Sequence, residues 1–90
     1  MRLDKFLKVS RIVKRRPVAK EVCASGQVKL NNRVAKAGSE VKPGDVLEIE
    51  LGRKMLKVRV LEVKDTVPAK EAASLYEIVE EINRPPEDWL

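Results

Sequence analysis

The stretch that decides the fold is residues 15–32, which read RRPVAKEVCASGQVKLNN. Pro17 suits the first turn of a helix, and Gly26 is the residue type that most often ends one. The apolar face of the helix between them would consist of Ala19, Val22 and Cys23. After Gly26 the apolar residues alternate with polar residues, as they do in a β-strand. The stretch therefore predicts a helix from about Arg16 to Ser25, followed by a hairpin that turns at Asn31–Asn32.

A second short helix is predicted on the N-terminal side of this stretch. Leu3, Phe6 and Leu7 follow the i, i+3, i+4 spacing of one helical face. Asp4 falls in the first turn, where the helix dipole favours an acidic side chain. The pattern breaks after residue 9, so a basic linker over residues 10–15 would join two short helices.

The residues after the hairpin turn predict further β-strands. The hairpin returns along residues 33–36, and a Lys-Pro-Gly-Asp turn at residues 42–45 leads into a strand over residues 46–51. Residues 52–54 connect it to another predicted strand, in which Leu56, Val58 and Val60 alternate with Lys57 and Arg59. We expect these strands to form one antiparallel sheet.

The C-terminal part of the chain gives a weaker pattern. Residues 68–73 are predicted to be irregular, and residues 74–79 fit either a last strand or a short helix. The predicted fold is α+β, with two short N-terminal helices packed on a small bent antiparallel β-sheet. We expect one domain over residues 1–83, with a C-terminal strand region at 54–83, and a tail at 84–90.

Charge is distributed unevenly along the 90 residues, whose net charge is +5. Residues 1–45 contain 12 Lys and Arg against four acids, whereas residues 46–90 contain seven against ten. This asymmetry indicates an oriented basic surface, for which nucleic acid is the most common partner and an anionic membrane the second. A membrane role is disfavoured because Leu3, Phe6 and Leu7, the only apolar residues that the first helix could insert, are needed for the core.

Catalytic chemistry finds little support in the composition. The chain has no histidine and one cysteine, Cys23, which lies on the apolar face of a predicted helix and is expected to be a core residue. We therefore expect a non-enzymatic protein with no catalytic residues, no metal and no cofactor. No apolar run approaches the roughly 18 residues of a membrane span, and a lone cysteine suits a reducing compartment, so we expect a cytoplasmic protein.

The two helices and their linker concentrate positive charge. Phe6, Tyr76 and Trp89 are the only aromatic residues, so we do not expect base stacking to dominate recognition of a nucleic acid. We expect phosphate contacts to a folded RNA instead. The alternative interpretation is a solvated charged face without function. The candidate RNA-binding residues are Arg2, Lys5, Arg11, Lys14, Arg15, Arg16 and Lys20, with Lys8 on the same stripe.

Residues 2–51 resemble the RNA-binding domain family named after the fourth protein of the small ribosomal subunit. The resemblance rests on an ordered set: Arg2-Leu3-Asp4, Arg11, Arg16, Ser25-Gly26-Gln27-Val28-Lys29-Leu30-Asn31 and Gly44-Asp45. It implies that the two-helix element and its hairpin, the αL motif, bind structured RNA. It also implies that Arg2, Arg11, Arg15 and Arg16 are the principal phosphate contacts, supported by Lys5, Lys14 and Lys20. The family often has Ser or Thr as the cap of the second helix, where this chain has Lys14-Arg15.

The whole chain is similar to the small factors of bacterial ribosome-associated quality control, with Lys-Arg-Arg-Pro at residues 14–17 and Ala-Ala-Ser-Leu-Tyr-Glu at residues 72–77. It is also similar to a ribosome-binding heat-shock family. The resemblance implies binding to rRNA and peptidyl-tRNA on a stalled large ribosomal subunit. It further implies stabilisation of that tRNA while a partner, RqcH, directs C-terminal tailing of the nascent chain. We expect a monomer.

Two other functions fit the same residues. The chain could be the RNA-binding accessory module of an RNA-modifying or tRNA-related enzyme complex, which predicts a tightly bound catalytic partner. It could also be a small helix-turn-helix DNA-binding protein, which predicts a dimer with two-fold half-site spacing.

Overall fold

Two short helices, a five-stranded antiparallel sheet and a 3₁₀ helix make up residues 1–83, the part of the chain that the computed structural model describes. The helices are α1 (Leu3–Val9) and α2 (Arg16–Ala24), and the 3₁₀ helix is Ala69–Leu75. The strands are β1 (Val28–Leu30), β2 (Arg33–Val34), β3 (Val46–Leu51), β4 (Lys54–Val60) and β5 (Tyr76–Asn83). The tail expected at residues 84–90 lies outside the described residues. Within residues 1–83, no helix has both the length and the apolar character needed to cross a bilayer.

Both helices begin and end as their sequences predict. Pro17 lies in the first turn of α2, and Gly26 adopts a φ of +76°, which glycine tolerates and other residues rarely do. Arg15 occupies the N-cap position of α2 and makes no side-chain capping bond. Because Ser, Thr, Asp or Asn at an N-cap stabilises a helix by about 1 kcal/mol, α2 depends on packing for that part of its stability.

The sheet order is β2-β1-β3-β4-β5, and every neighbouring pair is antiparallel. The hairpin between β1 and β2 turns at Asn31 and Asn32, whose φ values are +50° and +70°. Between β4 and β5 the register shifts: Lys57 pairs with Glu80 but Val58 pairs with Ile78. Val79 is therefore an extra residue in a β-bulge, which increases the local twist of the sheet.

Two predicted segments differ from the structure. The return strand of the hairpin, predicted over residues 33–36, is a strand only at Arg33–Val34. Residues 68–73 were expected to be irregular, but all except Pro68 belong to the 3₁₀ helix, which ends at Leu75. The carbonyl of Leu75 accepts hydrogen bonds from the backbone N–H groups of Leu61 and Glu62, at 2.8 and 3.2 Å. This tertiary contact has no signature in local periodicity. Of the two structures considered for residues 74–79, the strand is correct from Tyr76 onward.

The core lies between the helices and one face of the sheet. In β4 the buried residues Leu56, Val58 and Val60 alternate with more exposed neighbours, which is the pattern of a strand with one covered face. Complete burial of a side chain as large as Phe6 contributes about 2–3 kcal/mol. The large side chains with no exposed surface are Leu3, Phe6, Leu7, Val28, Leu47, Ile49, Val58, Val60 and Leu75.

The left-handed backbone at the end of α2 leads to the first testable prediction. We expect Gly26→Ala to lower the free energy of unfolding by about 1 kcal/mol, because an L-residue is strained at that φ. A Cβ at Gly26 would lie 3.8 Å from Val34 Cγ1, an ordinary contact, so steric overlap adds nothing. Urea unfolding measures the effect. Gly38→Ala is the matched control: its φ is not in the left-handed region, and we expect a change below about 0.5 kcal/mol. Equal losses in the two variants would contradict the conformational explanation.

Candidate nucleic-acid interface

The two helices pack against each other and carry the predicted cations on their exposed surfaces. Arg2 immediately precedes α1, and Arg16 is the first residue of α2. The linker between the two helices carries three more of the predicted residues. Lys5 is half-buried, and the other six candidates are exposed: Arg2, Arg11, Lys14, Arg15, Arg16 and Lys20. We call this set of seven side chains the basic surface.

A single buried carboxylate, that of Asp4, contacts two arginines of the basic surface. Asp4 has no exposed surface, yet its Oδ1 accepts a hydrogen bond from Arg2 Nε at 3.1 Å and its Oδ2 accepts one from Arg16 Nε at 3.4 Å. The backbone N–H of Lys5 also donates to Asp4 Oδ1, at 2.9 Å. Arg2 and Arg16 therefore flank one anion, although they are 14 positions apart in the sequence.

The arginines bind Asp4 in a way that leaves donors available for another acceptor. A guanidinium group has five N–H donors, and the contact to Asp4 uses Nε in both Arg2 and Arg16. About half of each arginine side chain is exposed. The Nη groups can thus contact another anion while Nε stays on the carboxylate, so the ion pairs orient the arginines and leave donors for a further acceptor.

The environment of Asp4 favours its charged form. Burial by itself would raise the pKa of this carboxyl. The hydrogen bond from Arg2, the N–H of Lys5 and the positive charge of Arg16 outweigh burial, so the pKa lies below its ordinary value of 3.8. Asp4 is an anion at neutral pH, and it stabilises the fold in that form.

The start of the chain is fixed against residues 37–41. Leu3 N–H donates to the carbonyl of Ser39 at 2.8 Å, and Val41 N–H donates to the carbonyl of Met1 at 2.8 Å. A Cβ on Gly38 would lie 3.6 Å from an Nη atom of Arg2, so the guanidinium group lies directly over this glycine. The backbone on both sides of Arg2 is therefore hydrogen-bonded to residues 39 and 41, and its side chain contacts Asp4 and lies against Gly38.

Arg11 adopts an unusual backbone conformation in the linker. Its φ is +61°, in the left-handed region that non-glycine residues other than Asn and Asp seldom occupy. The strain is on the order of 1–2 kcal/mol, and hydrogen bonds from Arg11 N–H to Lys8 O (3.1 Å) and from Val13 N–H to Leu7 O (3.0 Å) stabilise the turn. The turn exposes the Arg11 side chain beside Lys8, on a groove that the segment Asp65–Val67 completes.

The remaining candidates differ in their surroundings. Lys5 Nζ lies 3.0 Å from Asp65 Oδ1, and both side chains are accessible to solvent, so this pair contributes little to stability. Within residues 1–83, Lys14, Arg15 and Lys20 form no ion pair. These three cations are available for an external anion.

Sequence reasoning missed three contributors to this surface. Asp4 was assigned to the helix dipole, whereas it binds Arg2 and Arg16; the Arg-Leu-Asp sequence was the available signal. Gly38 and Asp65 gave no local signal, because the chain brings them to the helices only through the tertiary fold. Cys23 was correctly interpreted as a core residue: burial, and secondarily the negative charge of Asp4, raises the pKa of its thiol to about 11.

Comparison with known families gives a match over the part of the chain that carries this surface. The family described as the S4 domain matches residues 1–47, which include both helices, the linker and the β1–β2 hairpin. The chain belongs to the S4 domain family. The resemblance drawn from the sequence motifs is thereby confirmed.

Similar proteins match nearly the whole chain. A protein of Halalkalibacterium halodurans named "RQC P-site tRNA stabilizing factor" is 56% identical over 81 residues, which are 90% of this chain and 92% of that protein. A Bacillus subtilis protein of the same name is 54% identical over 90% of this chain and 94% of its own. These names agree with the resemblance of the whole chain to the small quality-control factors.

A solved structure confirms the α+β fold. It is described as the trimeric structure of Vibrio cholerae heat shock protein 15, and it has a TM-score of 0.82 and 29% identity to this chain. The match covers 88% of this chain and 81% of that one. Two short helices on an antiparallel sheet are therefore the shared architecture.

The buried carboxylate leads to a pH-dependent prediction. We expect Asp4→Asn to lower the free energy of unfolding at pH 7 by about 2 kcal/mol, because Arg2 and Arg16 lose their anion. A carboxyl with a lowered folded pKa stabilises the protein above its unfolded pKa and ceases to do so as pH falls through the folded value. The stability difference between the wild type and Asp4→Asn should therefore be constant above about pH 5 and shrink below 3.8.

Urea unfolding at a series of pH values from 7 to 2.5 measures this difference. Asp65→Asn is the control, since it removes an exposed acid that also contacts a candidate cation, and its effect should stay within about 0.5 kcal/mol throughout. A difference between the wild type and Asp4→Asn that does not change with pH would show that the charge of Asp4 is not what stabilises the fold.

Proposed function

We propose that this chain is a non-enzymatic RNA-binding factor of bacterial ribosome-associated quality control. In this proposal it binds the stalled large ribosomal subunit through rRNA and peptidyl-tRNA, and it stabilises the tRNA while the nascent chain receives its C-terminal tail. The observation that carries the proposal is the oriented pair Arg2 and Arg16, within an S4 domain whose relatives are named as stabilising factors for P-site tRNA.

The basic surface supports recognition of RNA by phosphate contacts. Guanidinium groups whose position is fixed before binding lose little conformational freedom when they meet a phosphate, so more of the contact energy remains for affinity. In this mechanism Arg2 and Arg16 are the central contacts. Arg11 and Arg15 extend the contact, and Lys5, Lys14 and Lys20 raise the local positive potential.

The proposed stabilisation follows from linkage. A protein that binds rRNA and tRNA at the same time favours the state in which both are bound, because each contact raises the apparent affinity of the other. No bond is made or broken in such a role. The partners in this proposal are large-subunit rRNA, peptidyl-tRNA and an RqcH-type tailing factor on the same subunit, all in the cytoplasm.

The two other functions considered for the sequence receive less support. A helix-turn-helix DNA-binding protein would not account for the S4-domain match. An accessory module of an enzyme complex remains compatible with an S4 domain, but the chain covers 92–94% of two relatives that carry the stabilising-factor name. The proposed monomer can be tested by sedimentation velocity, and the similar Vibrio cholerae protein, solved as a trimer, is the natural comparison.

Sucrose-gradient sedimentation of cell lysate tests the proposal directly. We expect the tagged wild type to sediment with free large subunits and Arg16→Ala to remain at the top of the gradient. Arg53→Ala is a matched control, because it removes an exposed arginine on the β3–β4 turn, outside the two helices and their linker, and it should sediment like the wild type. Wild-type protein at the top of a low-salt gradient would overturn the ribosomal function. Co-sedimentation of Arg16→Ala with large subunits would be consistent with the ribosomal function but would exclude Arg16 from the interface.

The salt dependence of binding gives an independent measure of the phosphate contacts. If about five phosphates are neutralised, the logarithm of the association constant for large subunits should fall against the logarithm of salt concentration with a slope of roughly −3.5 to −4.5. Arg16→Lys preserves the charge but not the planar fork, so it should retain that slope with a weaker affinity. Arg15→Ala should make the slope shallower by about one unit. A slope near zero would contradict phosphate recognition.

A further inference from the structure

β5 is an open edge of the sheet. It is the outermost strand, and among residues 1–83 it pairs only with β4. Seven of its eight residues, Glu77 to Asn83, are exposed. A strand of this length with no neighbour on one side presents unpaired N–H and C=O groups along that side, and another extended chain can pair with them.

Apolar side chains lie exposed along this edge. Ile78, Val79 and Ile82 are 56%, 46% and 39% exposed, and they are half of the six large exposed hydrophobic residues in the described chain. Ile78 pairs with Val58, which faces the core, whereas Ile82 pairs with Met55, which faces the opposite side of the sheet. A strand added to β5 would therefore cover apolar surface on both faces of the sheet.

The charges of β5 determine which chain could be added. The strand carries Glu77, Glu80 and Glu81 and no cation. Glu77 pairs with Arg59 at 2.6 Å and Glu81 with Lys54 at 2.7 Å, whereas Glu80 has no ion pair within the described residues. A second copy of β5 would bring more carboxylates and no cation, and RNA would bring further negative charge. An extended segment with Lys or Arg at alternating positions would complement Glu80 on one face of the sheet and place aliphatic residues beside Ile78 on the other.

We propose that β5 is a strand-addition site for an extended protein segment that carries alternating basic and aliphatic residues. The site lies on the edge of the sheet, and its acidic character separates it from the basic surface that is proposed for RNA. The carboxylates have a second consequence, since they oppose pairing of β5 with another copy of itself. This proposal does not depend on the ribosomal function.

Two fluorescein-labelled synthetic peptides test the proposal on the full chain: an eight-residue peptide of alternating lysine and valine, and its glutamate–valine counterpart. Fluorescence anisotropy at low salt should detect binding of the lysine peptide and at least tenfold weaker binding of the glutamate peptide. We expect Glu80→Lys to lower the affinity for the lysine peptide at least fivefold and to raise the affinity for the glutamate peptide. Glu71→Lys, the same charge change in the 3₁₀ helix, should alter neither affinity by more than about twofold.

Amide hydrogen exchange identifies the location of binding. The β5 amides that are not bonded to β4 should exchange rapidly in the free protein and at least tenfold more slowly with the lysine peptide. Slow exchange of those amides without peptide would overturn the proposal. Equal effects of Glu80→Lys and Glu71→Lys on peptide affinity would also overturn it. So would a wild-type dimer whose dissociation constant changes in Glu80→Lys. Because Glu80→Lys should still sediment with large subunits, failure here is distinguishable from failure of the ribosomal function.

Discussion

The fold and the basic surface both depend on one buried anion. Asp4 has no contact with solvent, and a charge in that position is tolerated only when its partners compensate for the water that it has lost. Its partners are Arg2, which precedes α1, and Arg16, which begins α2. The same ion pairs that make burial of Asp4 possible therefore fix the relative position of the two helix starts. A ligand that contacts both arginines meets a surface arranged by folding.

The distribution of charge gives the molecule two surfaces of different character. The helices and their linker carry cations that have few acids near them, whereas the sheet carries ion pairs across β4 and β5, such as Arg59–Glu77. Charges that are already paired across a sheet contribute register and solubility, and they attract little external counter-charge. The long-range field that would attract RNA therefore comes mainly from the first 20 residues. The far edge of the sheet is left to interactions of shorter range.

Residues with strong local signals could be predicted from the sequence. Pro17 and Gly26 mark the ends of α2 because each has a backbone restriction that suits one position, and the alternation around Val58 identifies a strand with one buried face. The exposed cations of the candidate site were also predicted from local sequence, since seven of them fall within residues 2–20, on two short helices and the residues that flank them. Their role in binding RNA stays a prediction.

Other features were not predictable because they arise from contacts between distant segments. The 3₁₀ helix at Ala69–Leu75 is held by hydrogen bonds from residues 61 and 62, and the guanidinium group of Arg2 lies against Gly38. The left-handed φ of Arg11 opposes the local preference of arginine, so any rule based on propensity assigns it wrongly. Where local preference and tertiary geometry disagreed, geometry prevailed, and two of these positions, Arg2 and Arg11, belong to the basic surface.

The buried cysteine can report on opening of the core at α2. Cys23 is the only thiol in the chain, it lies on the core side of α2, and its raised pKa of about 11 keeps it protonated at neutral pH. An alkylating reagent reacts with an exposed thiolate, so it modifies Cys23 when α2 moves away from the core. The rate of alkylation therefore records how often the second helix detaches, without any engineered probe. Since Arg16 begins that same helix, one thiol monitors the rigidity of the surface proposed to bind RNA.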